Sequence, residues 1–178
     1  MLERIYQDDM EMRMVLIRVM ATERGHQKWL ALESTILNLM EGPFGYDGRP
    51  ISVYSTIIGS EETRAIAAHY LTLSRSTYHT VWALRIEQSD LDNIGMRIRE
   101  TPGDTGVFDI DTKHRDIIGD RETFELLTAH LYDRIRHGED RLRVVGPIQL
   151  KHQIQDFLNA DSGIVSEGAS ARCRQLLQ

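Results

Sequence analysis

From residue 50 to residue 158 the chain alternates short β-branched runs with longer stretches of helical apolar spacing. This alternation narrows the fold more than any other feature. "ISVYSTIIG", "YHTVWALRIEQ" and "RLRVVG" are rich in Val, Ile, Thr and aromatic residues and read as strands. Between them, "EETRAIAAHYLTL" aligns Ile66, Tyr70 and Leu73 on one stripe, with Ala67 and Leu71 beside it. "RETFELLTAHLYDRIRHG" does the same with Phe124, Leu127, Leu131 and Ile135, and Gly138 ends it. A third helix starts at Pro147 and carries Leu150, Ile154, Phe157 and Leu158 on one side. Ser60 and Asp120 stand where an N-cap is needed, and Glu61 and Glu62 suit the positive end of a helix dipole. Such a chain buries a central sheet under helices. The predicted class is α/β (or α+β): a small mixed central sheet flanked by helices, with an N-terminal helical segment.

The predicted organisation is a helical subdomain over residues 1–42, a core domain over 50–160 and a tail over 161–178. In the first part, "HQKWLALESTILNLMEG" places Trp29, Leu30, Ile36, Leu37 and Met40 at helical spacing, and Gly42-Pro43 stops it. The preceding "MRMVLIRVM" fits a helix or a strand equally. "GPFGYDGRP" is the loop that separates this part from the core. A chain of 178 residues is long enough for one real core. Its net charge of −6 argues against nonspecific attraction to nucleic acid, although a local basic patch is compatible with it. The single cysteine, Cys173, permits no internal disulfide. No stretch approaches the roughly 20 apolar residues of a membrane span, and "MLERIYQDDMEM" has acids where a signal peptide has none. A cytoplasmic protein without a membrane segment is the expectation.

The chemistry concentrates in "TGVFDIDTKHRD", residues 105–116. As a strand it points Asp109, Asp111 and Lys113 one way and Phe108, Ile110 and Thr112 the other. The polar face either meets water or forms the wall of a metal site. Mg²⁺ takes hard carboxylate oxygens, and a neighbouring lysine can hold a phosphate oxygen or position a water. A second carboxylate must then come from another element: Asp90 or Asp92 in "SDLDNI", or Glu62 at the start of the first helix. The scattered His69, His79, His130 and His137 read as surface or capping residues. Neither a "GxSxG" elbow nor a glycine-rich phosphate loop is present.

Over residues 60–146, helix, three-stranded meander, helix and strand follow in order, and "GDTGVFDIDTKHR" holds an acidic-x-Lys triplet. This resembles the core of the PD-(D/E)xK nuclease superfamily, the restriction-endonuclease-like fold. The resemblance implies a Mg²⁺-dependent nuclease acting on DNA or RNA. Asp111 and Lys113 would be the acidic-x-Lys element, Asp92 (or Asp90) the second-strand metal ligand, and Glu62 the acid that some members carry on the first helix. The alternative is a non-catalytic binding or adaptor protein. Its N-terminal helices, with Trp29 and the methionines Met10, Met12, Met14 and Met20, would form a homodimer or partner interface. The nuclease reading needs Asp90 or Asp92 beside Asp111 and Lys113 in a concave site; the adaptor reading needs an exposed apolar patch instead.

Overall fold

In a computed structural model the described residues are 14–20, 49–73, 75–160 and 163–178. Along the chain these form β1 (Met14–Met20), β2 (Ile51–Ile57), α1 (Ser60–Thr72), β3 (Val81–Ile86), α2 (Gln88–Asp92) and β4 (Arg97–Glu100). Then come α3 (Phe108–Asp111), β5 (His114–Ile118), α4 (Arg121–Arg136), β6 (Leu142–Val145), α5 (Pro147–Asn159) and α6 (Glu167–Leu177). The six strands make one sheet in the order β4-β5-β2-β1-β3-β6, and every pairing is antiparallel. The predicted α/β class therefore holds.

The run that fitted either helix or strand is β1, near the middle of the sheet. Val15, Ile17 and Val19 enter a core shared with α1, α5 and α6. Leu16 and Met20 enter a second core, with Leu91 of α2 and Phe124, Leu127 and Leu131 of α4. Because both faces are covered, the strand is apolar at nearly every position and shows no alternation. Each fully buried Leu or Phe of these layers contributes about 1.5–3 kcal/mol. The helix read in "HQKWLALESTILNLMEG", and the interface assigned to Trp29, lie outside the described residues.

The predicted helices of the core form, and Asp120 caps α4 by accepting the Thr123 amide at 2.9 Å. At α1 the cap position is Gly59, not Ser60; Glu62 closes the turn by accepting the Gly59 amide at 3.0 Å. Two predicted strands are displaced. "SDLDNIGMRIRE" splits into helix α2 and strand β4. "GVFDIDTK" is not a strand: residues 108–111 are a helical turn, and the strand that pairs with β4 begins only at His114.

A chain of buried charges joins the two helix layers. Glu62 of α1 accepts from Arg85 Nε at 2.6 Å and Nη2 at 2.9 Å. Arg85 also pairs with Asp140, and its backbone amide donates to the Arg141 carbonyl at 2.7 Å. Arg141 continues to Asp90 of α2 at 3.1 Å, where His130 at 2.9 Å and Arg134 at 3.0 Å arrive from α4.

Candidate functional site

The segment between β4 and β5 folds around one carboxylate. Asp111 Oδ1 accepts from the Thr105 amide at 2.9 Å and the Thr105 hydroxyl at 2.7 Å, and its Oδ2 accepts from the Gly106 amide at 3.1 Å. Ile110, fully buried, anchors the turn in the core below α1. The loop is also stitched to the start of α6: the Phe108 amide donates to the Ile164 carbonyl at 2.9 Å, and the Ser166 amide to the Gly106 carbonyl at 2.7 Å. Asp109 receives Arg64 of α1 through two bonds of 2.9 and 3.0 Å, and that guanidinium lies over the Phe157 ring at 4.9 Å. Burial raises the Asp109 carboxyl, but the Arg64 bonds and charge outweigh it and hold it below its ordinary value. Lys113 Nζ reaches Glu61 at 2.9 Å, and that bond, with the Ile57 amide, lowers Glu61.

These ties fix one wall of a groove of about 590 Å³. Thr101, Pro102 and Gly103 line it from the end of β4, Phe108 and Thr112 from α3, and Arg115 from β5. Phe108 is 50% exposed, although the backbone that carries it is bound on both sides. Arg115 donates to the Thr112 and His114 carbonyls at 2.8 and 2.7 Å and faces Glu100 at 3.1 Å.

A polar chain runs from the groove into the fold. Thr101 Oγ1 meets His114 Nδ1 at 2.8 Å. The His114 ring packs edge-on against Tyr54, centroids 5.4 Å apart, and Tyr54 OH meets His69 Nδ1 of α1 at 3.1 Å. Burial, then the charges of Asp104 and Asp111, push the Tyr54 phenol well above its ordinary range. Burial, then the charges of Arg18 and His114, hold His69 down at about 4. A protonated phenol facing a neutral imidazole fits a bond in which Tyr54 donates to His69 Nδ1. An unfolded chain protonates His69 near 6.5, the folded one only near 4. Between those values the unfolded state binds the extra proton, so stability present above pH 6.5 falls as pH drops toward 4. The loss is at most about 3.5 kcal/mol. Urea midpoints at pH 7 and pH 4.5 should differ more for wild type than for His69→Gln; equal differences would mean that His69 is not the group responsible.

The residues singled out in the sequence are dispersed. Asp90 is wholly buried among Arg141, Arg134, His130 and the Glu87 amide. Glu62 is committed to Arg85. Asp92, exposed at the end of α2, accepts from Gln88 at 2.8 Å. α2 packs into the core on one face of the sheet and α3 into the core on the other. The sheet therefore separates Asp92 from Asp111, and Glu62 is taken up by Arg85, so the three as placed do not fit a single Mg²⁺ site. Only Asp111 borders the groove. Among the described residues no group of three or more His, Cys, Asp or Glu is arranged to hold a metal ion. No described helix is long and apolar enough to cross a membrane. Arg115 and Tyr54 were not singled out in the sequence; His114 drew attention only as one of the charged residues of the 105–116 stretch, and Phe108 only as part of its apolar face. The one signal for Phe108 is an aromatic residue inside a Gly- and Asp-rich loop, where apolar side chains are uncommon.

Compared with known families, curated proteins and solved structures, the chain matches none.

Proposed function

We propose that the chain is a recognition module that takes a partner at the groove beside β4. The observation that carries this reading is Phe108: a half-exposed aromatic ring held on a loop whose backbone and central carboxylate are already bonded. Binding residues concentrate on loops that a rigid scaffold positions, and aromatic anchors beside concave surfaces supply most of the energy. The nuclease reading has less support, since it needs Asp92 and Asp111 to share a cation and Lys113 to face substrate instead of Glu61.

Two measurements test this. A library of small aromatic and aliphatic fragments, followed by amide NMR shifts, should mark Thr101, Phe108 and Arg115, and Phe108→Ala should weaken those hits about tenfold. In parallel, wild type with Mg²⁺ or Mn²⁺ should leave single- and double-stranded DNA and RNA intact. Metal-dependent cleavage lost in both Asp92→Asn and Lys113→Ala would overturn the proposal in favour of a hydrolase, and fragment hits clustered away from the groove would overturn it in favour of another surface.

A further inference from the structure

The groove opens onto the end of β4, which is an edge of the sheet. An edge strand offers a row of backbone N–H and C=O groups to any extended segment that reaches it. The side chains of this edge carry a definite charge. Arg97 and Arg99 are two apart and so share one face of β4. Both are exposed. Arg97 has no ion-pair partner among the described residues, and Arg99 has only a 3.4 Å contact to Asp116 while its side chain stays 57% exposed. Thr101 follows on the same alternation and lines the groove. One face of the edge is thus a local basic strip on a chain whose net charge is −6, while Glu100, on the other face of β4, pairs with Arg115.

Resting on the recognition reading of this groove, we propose that β4 docks an acidic, extended peptide segment of the form apolar-x-acidic-x-acidic. Every strand pair in the sheet is antiparallel. An added strand of the same sense meets Thr101 first, then Arg99, then Arg97. Its apolar residue then enters the groove against Phe108 and Pro102, and its two acids, at period 2, face the two arginines. A second copy of this edge does not fit, because like-charged strips repel on pairing. Nucleic acid would engage the arginines but leave the backbone row unused, and the chain's overall charge opposes it.

The test uses the full chain and a labelled twelve-residue peptide with Leu-Thr-Glu-Thr-Glu at its centre. Binding with a dissociation constant on the order of 10–100 μM, weakening with salt, is expected. Arg97→Glu/Arg99→Glu, two surface changes whose folding is checked by circular dichroism, should weaken it at least about tenfold. Phe108→Ala should weaken it by a similar factor. The peptide with Lys in place of Glu, and the reversed sequence, should bind poorly. Equal binding by the charge-reversed protein, amide shifts away from β4, or a single-stranded oligonucleotide that competes with the same arginine dependence would each overturn the proposal. If fragments still bind at Phe108 while the acidic peptide does not, only this inference fails; if neither binds, the recognition reading fails with it.

Discussion

Asp90→Ala is expected to lower the free energy of unfolding by about 3–5 kcal/mol. The carboxylate is fully buried. It holds the Glu87 amide at 2.7 Å, which starts α2, and it neutralises Arg141, itself only 2% exposed. His130 and Arg134 tie the same carboxylate to α4. Removing it leaves the Arg141 guanidinium buried, with Glu87 and Glu139 as its remaining acidic contacts, the latter 39% exposed. The charge-to-solvent balance then turns against the folded state, because Arg141 keeps its desolvation cost and loses the fully buried one of the three carboxylates that offset it. Urea unfolding followed by far-ultraviolet circular dichroism would show the loss as a lower midpoint, and the melting temperature should drop by about 10 °C. Asp90→Asn should stay destabilised, because it removes the negative charge and turns its NH2 donor toward one of the two guanidiniums, Arg134 at one oxygen position or Arg141 at the other. A loss below about 1 kcal/mol for Asp90→Ala would mean that the four ties at this site together contribute little net stability.

Gly106→Ala is expected to cost about 2–4 kcal/mol and to abolish fragment binding at Phe108. Gly106 has φ +75°, in the left-handed region that favours glycine. A Cβ there would press on Ser166 Oγ and lie 2.9 Å from the Ala169 Cβ. Those atoms belong to the cap and first turn of α6, so the loop must part from the helix to which its backbone is bonded. The same movement pulls the Gly106 amide from Asp111 Oδ2. Gly168→Ala is the matched control. It is a helical position with no neighbour within 4 Å of the added carbon. It should raise stability by a few tenths to about 1 kcal/mol, as helix propensity dictates. Similar losses at both positions would rule out close packing as the cause at Gly106.

The acids that drew attention in the sequence have surroundings that were not legible there. Asp90-Leu91-Asp92 and Phe108-Asp109-Ile110-Asp111 alternate polar and apolar over four or so positions, which is the strand period. In a segment this short, one helical turn exposes the same pattern, since a single apolar residue turned inward satisfies both. Leu91 and Ile110 are those residues. Short-range ties from Asp90 to the Glu87 amide and from Asp111 to the Thr105 and Gly106 amides shape each segment, and distant ones fix it in place. Asp90 is bound by Arg141, 51 residues on, and Asp109 by Arg64, 45 residues back. The Phe108 amide is held by Ile164, on the loop before α6.

The sequence by itself determined the α/β class, the longer helices, the cap at Asp120 and three of the strands, because backbone pitch imposes its period on any element long enough to display it. Only the tertiary structure decided that β1 lies near the sheet centre, that the candidate acids separate onto opposite faces, and that β4 and Phe108 frame a groove. Those outcomes depend on which distant segments meet, and the free energy of closing long loops onto buried charges and apolar faces is a property of the whole chain that no local window contains.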